Sequence, residues 1–177
     1  MPVPKVHLNT QVSLAIKNQW GVIPTPALRL KLHPYFADVI HAVSRALPRP
    51  IAVMDGQFGL TRTGPLRGDA VELGWTLVSD DLYACDYFAL KLMSVDYRKI
   101  SYLKQEFVRK GIESLEATVL NRDWQTFQKG HFFLKREWTD YPGLLAFKSR
   151  ALAYLGYESI LSKPLHWLLY LYREPFY

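Results

Sequence analysis

The chain has 177 residues, of which 49% are hydrophobic and 21% charged, and a formal net charge of +6. That balance excludes a disordered or low-complexity chain and suits one domain with a buried core. Cys85, its only cysteine, excludes an intrachain disulfide, and also any iron–sulfur cluster or Cys-based zinc site held by this chain alone.

Residues 1–50 carry six Lys or Arg against one acid, Asp38. Such an excess favours an anionic ligand or surface, with plain solubilising charge as the alternative. The opening "MPVPKVHLNT" lacks the apolar core of a signal peptide, so a soluble, cytoplasmic protein is expected. "NTQVSLAIKNQWG" predicts a short helix opened by Asn9 or Thr10 and closed at Gly21. "VIPTPALRLKLHP", with three prolines, reads as a loop made basic by Arg29, Lys31 and His33.

Pro34 suits a first helical position, and Phe36, Val39, Ile40, Val43 and Leu47 follow at helical spacing, giving an amphipathic helix that stops before Pro48. "PIAVMDG" reads as a buried strand ending in a turn at Asp55–Gly56. The stretch from Asp55 to Asp69 then spends four of the chain's ten glycines and reads as a loop. "LGWTLVSDD" predicts a strand and "DDLYACDYFALKLM" a helix opened by Ser79 or Asp80. "DYRKISYLKQEFVRKG" predicts a further helix, and "EATVLN" a strand. The tail, rich in Leu, Tyr and Trp, predicts two short helices broken near Lys163–Pro164.

This order predicts an α/β fold with a mixed, mainly parallel sheet, flanking helices and an aromatic-rich helical tail. Residues 1–120 form the α/β domain, and 121–177 a C-terminal extension packed on it. In such sheets ligands sit at the carboxyl ends of strands, which places Asp55 with the glycine loop at one end and Ser79–Asp81 at another.

Three groups of residues carry candidate chemistry. In the glycine loop, Gly59 and Gly64 would let backbone amides approach an anion, Arg62 and Arg67 would fork onto its oxygens, and Thr61 and Thr63 would donate neutrally. Gly59 to Gly64 has the spacing of a phosphate-binding P-loop, but Pro65 and Leu66 stand where Lys and Ser/Thr are required. A long hairpin with arginines in solvent is the alternative. Lys5, His7, Lys17 and Asn18 form the second group; a lysine and a histidine held together move protons or polarise a carbonyl. Asp80, Asp81 and Asp86 form the third. Asp80 and Asp81 suit helix capping, while Asp86, inside "YACDYFAL", must be paired or hydrogen-bonded if buried, and is placed to meet Asp55 across a cleft. The five histidines lack metal-binding spacing, no nucleic-acid motif is present, and Cys85 reads as a core residue.

In the order "VPKVH", "SLAIKNQWGVIP", "IAVMDG" with "GPLRGD", and "LVSDDLYACDYFALKLM", the chain resembles the domain of unknown function 362 family over about residues 2–120. The resemblance puts that family's recurrent polar positions on Lys5, His7, Lys17, Asn18, Asp55, Gly64, Asp81 and Asp86. It implies a redox association, since many members carry ferredoxin-like cluster domains. It also implies an upstream α/β portion absent here. A ferredoxin-type or complementary N-terminal subunit, or a second copy of the chain, is then the expected partner.

The sequence thus predicts a small-anion site in a strand-end cleft. Lys17 and His7 would transfer protons, Asp55 and Asp86 would fix the lysine or a cation, and Lys5, Asn18, Gly59, Arg62, Thr63, Gly64, Arg67 and Asp81 would line the site. This belongs to an enzyme or enzyme subunit of redox type. The alternative is a non-catalytic accessory protein docking to a partner or a membrane surface through residues 145–173, where Trp and Tyr stand beside basic residues.

Overall fold

The computed structural model describes residues 2–65, 68–112, 115, 120–129 and 131–172. They form two compact units, Met1–Val22 with Phe36–Arg136, and Ile23–Tyr35 with Glu137–Tyr177. No helix of the described residues is long and apolar enough to cross a membrane.

The first unit is built on a four-stranded sheet of β1 (Lys5–His7), β2 (Gln11–Ser13), β3 (Ala52–Thr61) and β4 (Asp69–Ser79), in the order β2-β1-β3-β4. The β1–β2 and β3–β4 pairs are antiparallel, and β1 runs parallel to β3, with Lys5 opposite Leu60. The sheet is therefore mixed but mainly antiparallel, not mainly parallel as expected. The reason lies in the glycine stretch, which extends β3 to Thr61 and is followed by β4 from Asp69. So short a connection joins antiparallel neighbours, whereas a parallel pair needs a long crossover.

Asp55–Gly56 is likewise no strand end. The register shifts between Gly56 and Phe58, and Asp55 Oδ1 accepts from the Gln57 N–H at 2.9 Å, so the pair marks a bulge inside β3. Two of the glycines answer to neighbouring rings. A Cβ on Gly56 would run into the Trp75 indole, and one on Gly59 would lie 2.6 Å from Phe132 Cζ.

The helix expected from Asn9 begins only at α1 (Ala15–Asn18). His7 Nδ1 accepts from the N–H groups of Asn9 and Thr10 at 3.2 and 3.4 Å, which closes a turn and sends Gln11–Ser13 back along β1 as β2. Three longer helices follow, α3 (Phe36–Ala46), α4 (Leu82–Leu92) and α5 (Ser101–Arg109), in the places the apolar periodicity predicts. Asp81, rather than Ser79 or Asp80, opens α4, accepting from Tyr83 and Ala84 at 2.7 and 3.2 Å. The core beneath them contains Leu14, Ile16, Ile40, Met54, Leu73 and Phe107.

The second unit takes α2 (Pro26–Leu32) from the stretch expected to be a loop. Thr25 caps it, accepting from Leu28 at 3.3 Å, and Pro26 supplies the first turn, where its missing N–H is no loss. The tail forms three helices, α6 (Tyr141–Lys148), α7 (Arg150–Tyr157) and α8 (Ser162–Tyr172). Pro164 lies in the first turn of α8 rather than at a break. Of the strand expected at "EATVLN", Glu116–Val119 lie outside the described residues, and Leu120 and Asn121 are not in a strand.

Candidate functional site

α1 is four residues long, and its N-cap position is Leu14, which has no side-chain acceptor to offer. The cap comes from α4 instead. Asp86 Oδ1 accepts from the Ala15 N–H at 2.7 Å and Asp86 Oδ2 from the Ile16 N–H at 3.0 Å. The carboxyl group is fully buried, and burial pushes its pKa up to about 7 despite the two amide donors. α1 thus receives the partial negative charge that a helix start favours, 70 residues away in sequence.

The helix so fixed carries Lys17 on its buried side. Lys17 keeps 9% of its surface exposed. Desolvation, and then the like charge of Lys5 on β1, push its pKa from 10.5 down to about 7. Among the described residues no hydrogen bond or ion pair reaches its ammonium. Asp86 is not among the charges that act on it, and its carboxylate oxygens accept from the Ala15 and Ile16 amides. Burial of the side chain, with a second ammonium as its electrostatic neighbour, disfavours the charged form of Lys17.

β1 gathers further candidates. His7 lies two residues beyond Lys5 on the same strand, with Nδ1 taken by the turn amides. Gly64 folds against this strand: its carbonyl accepts from the Leu8 N–H at 3.1 Å, and a Cβ on it would strike the Val6 carbonyl oxygen. Lys5, His7, Gly64, Lys17 and Asp86 are therefore gathered around β1 and α1. Asn18 shares α1 but is exposed, and Asp81 serves α4 as its cap.

The remaining candidates have other engagements. Asp55 closes its own turn at the β3 bulge, and Gly59 packs under Phe132. The Arg62 guanidinium lies on Asp69 through Nε at 2.9 Å and an Nη at 3.0 Å, an exposed pair. The Thr63 N–H donates to the Thr61 carbonyl at 3.2 Å. Arg67 lies outside the described residues. Cys85 is buried, and its thiol is pushed up to about 12 by burial and then by Asp86 and Asp81, which suits a core residue rather than a nucleophile.

One buried carboxylate escapes sequence reasoning. Glu106 on α5 is fully buried, and it meets Tyr83 Oη and His41 Nδ1 at 3.2 Å each and Arg109 at 3.3 Å. Its signal is an acid on the apolar stripe of Tyr102, Leu103 and Phe107. It ties α3, α4 and α5 together. A separate cleft of about 580 Å³, lined by Tyr87, Tyr97 and Trp124 with Lys91 and Arg98, shares no residue with the Lys17 group.

The fold and site thus define an α/β domain with a buried lysine beside its sheet that has no counter-ion among the described residues. The model of one family, described as Domain of unknown function (DUF362), matches residues 1–91, and the chain belongs to that family. Every candidate residue named above from Lys5 to Asp86 falls within the matched segment. The chain is also similar to the "Thylakoid-associated protein sll1697" of Synechocystis sp. (strain ATCC 27184 / PCC 6803 / Kazusa), at 22% identity over 103 residues. That match covers 54% of this chain and 32% of the relative, so the chain spans about a third of that protein's length. No solved structure matches the chain.

Proposed function

We propose that the domain binds a small anionic ligand at Lys17 and Lys5, as an enzyme or enzyme subunit acting on that ligand. The observation that carries this reading is the buried Lys17 side chain, with Lys5 as its neighbouring charge and no counter-ion among the described residues. An anion here would remove a like-charge repulsion and return to Lys17 part of the hydration it loses on burial. With its pKa near 7, Lys17 exchanges a proton readily at neutral pH. The family resemblance supplies the redox half of the reading, with electrons from a ferredoxin-type partner.

Binding to the folded state alone raises its melting temperature, so inorganic phosphate, sulfate and pyruvate serve as probes. The expected outcome is stabilisation of the wild type that is lost in Lys17→Met and reduced in Lys5→Ala. Equal shifts in wild type and Lys17→Met would remove the site from this lysine.

A second reading is favoured by the surface of α8, where Trp167, Leu168 and Leu171 are 66%, 49% and 61% exposed and share one helical face. Large apolar side chains of that kind beside Lys163 suit a helix lying in a lipid headgroup plane. The thylakoid association in the relative's name agrees with it. Co-sedimentation with phosphatidylglycerol vesicles, lost in a Trp167→Ala and Leu171→Ala double variant, is the expected result. No sedimentation of the wild type would dismiss this reading.

A further inference from the structure

We propose that a cavity between β4, α4 and the turn Trp124–Phe127 binds a single-ring aromatic carboxylate that carries a second carbonyl group. That carbonyl accepts a hydrogen bond from the Trp75 indole, and the carboxylate meets Arg122 at the mouth. The cavity lies within the first unit and shares no residue with the Lys17 group, so it stands apart from the anion site proposed there.

The cavity has a volume of about 260 Å³. Trp75 and Leu77 of β4, Phe88 and Leu92 of α4, and Trp124 and Phe127 wall it. Trp75 and Leu77 are two apart on a strand, and Phe88 and Leu92 four apart on a helix, the spacings that put side chains on one face. The volume is below the roughly 300 Å³ at which drug-sized pockets begin, which suits one aromatic ring rather than a dinucleotide or a lipid chain. Three aromatic side chains in the wall offer a flat ring the edge-on and offset contacts that it favours.

Trp75 keeps 7% of its surface exposed, and its Nε1 is closed to water with no acceptor among the described residues. A buried indole N–H ordinarily has a partner. The ring itself is fixed. Trp75 stands opposite Gly56 in the β3–β4 register, and a Cβ on Gly56 would lie 2.0 Å from Cε3 and 2.3 Å from Cζ3. Those atoms belong to the edge of the indole remote from Nε1. β3 therefore holds the ring without satisfying its donor, and a ligand carbonyl supplies the missing acceptor. The carbonyl reaches Nε1 as the wall yields at Trp124 and Phe127, both half-buried on a 3-10 turn of four residues.

The mouth is basic. Arg122 lines the cavity and is exposed, and a Cβ on Gly74, another lining residue, would lie 3.6 Å from Lys129 Nζ. No acid lines the cavity among the described residues. Cations outside and a neutral donor inside match a ligand with a carboxylate at one end of its ring and a carbonyl at the other.

The test is the nitrogen-15 indole spectrum of the full chain, whose five tryptophans give one N–H signal each. The signals are assigned with Trp20→Phe, Trp124→Phe, Trp138→Phe and Trp167→Phe, so that Trp75 is never altered. Affinities are read from whichever signals move and do not depend on the assignment. Titration with para-acetylbenzoate should move the Trp75 signal downfield to saturation and shift Trp124 with it, leaving Trp20, Trp138 and Trp167 in place. Para-isopropylbenzoate has the same shape without the ketone. It should bind about fivefold more weakly and produce no downfield move. Arg122→Gln should weaken para-acetylbenzoate about threefold and leave the uncharged para-methylacetophenone unaffected. A Trp75 signal that stays in place at millimolar ligand, or five signals moving together, would overturn the site. Equal affinity for the ketone and its isopropyl analogue would overturn the hydrogen bond to Trp75. Equal affinity of wild type and Arg122→Gln would overturn the placement of the carboxylate.

Discussion

Asp86 and Ile16 stand 70 residues apart in the chain and share a 3.0 Å hydrogen bond, the carboxylate of one helix capping the first turn of another. The same carboxylate takes the Ala15 amide at 2.7 Å, and so sets where α1 lies and where Lys17 begins. α1 and its lysine are thus positioned by a buried acid of α4.

Asp86 makes stability depend on pH below neutrality. Its folded pKa is raised from 3.8 to about 7, so between those values the folded chain holds a proton that the unfolded chain has released. Its contribution is full below about pH 4 and is lost as pH rises to about 7. Urea titrations across that window should show wild type losing stability relative to Asp86→Asn, which has no proton to lose. Parallel curves for the two proteins would contradict the burial of the group.

Lys17 gives the opposite slope above neutrality. Its folded pKa is depressed from 10.5 to about 7, so stability from this group is fully present above about pH 10.5 and lost as pH falls through about 7. Lys17→Met keeps the stem and removes the charge. It should be more stable than wild type at pH 7, by about 1 kcal/mol or more, while losing anion binding. A variant less stable than wild type at pH 7 would mean that the ammonium has a favourable partner.

The parts legible in the sequence are those fixed by local periodicity. Phe36, Val39 and Ile40 suffice for α3, and the apolar run after Asp81 suffices for α4. That a carboxylate amid "YACDYFAL" needs hydrogen bonds if buried follows from chemistry alone. Its partners do not, because Ala15 and Ile16 offer only backbone amides that every residue has. Gly56 and Gly59 mislead for a similar reason. A glycine demanded by a Trp75 or Phe132 ring looks in sequence like one demanded by a ligand, and only the β3–β4 register separates the two. β2 and α2 go unseen because a histidine-capped turn and a threonine-capped proline start depend on one hydrogen bond each, at places where composition suggests something else.

Glu106 should be the costliest buried acid to remove. Glu106→Ala strips Tyr83, His41 and Arg109 of their shared acceptor, and chemical denaturation should register a loss of about 3 kcal/mol. Asp38→Ala, which removes only the exposed outer partner of Arg109, should change little. Equal effects would place the weight of the network at the surface.

Gly56→Ala separates packing from binding. The added methyl meets the Trp75 indole, and a melting curve should show a loss of about 2 kcal/mol. Phosphate should still stabilise the variant as it does wild type. Loss of that response in a variant that remains folded would return the glycine stretch to the ligand.

The most direct measurement is the titration of Lys17 itself, followed by the carbon resonance of its ε-methylene in protein labelled with carbon-13 lysine and assigned with Lys17→Arg. The expected midpoint is near pH 7, rising when phosphate is added because an anion favours the charged form. A midpoint near the ordinary 10.5 that phosphate does not move would contradict the anion site.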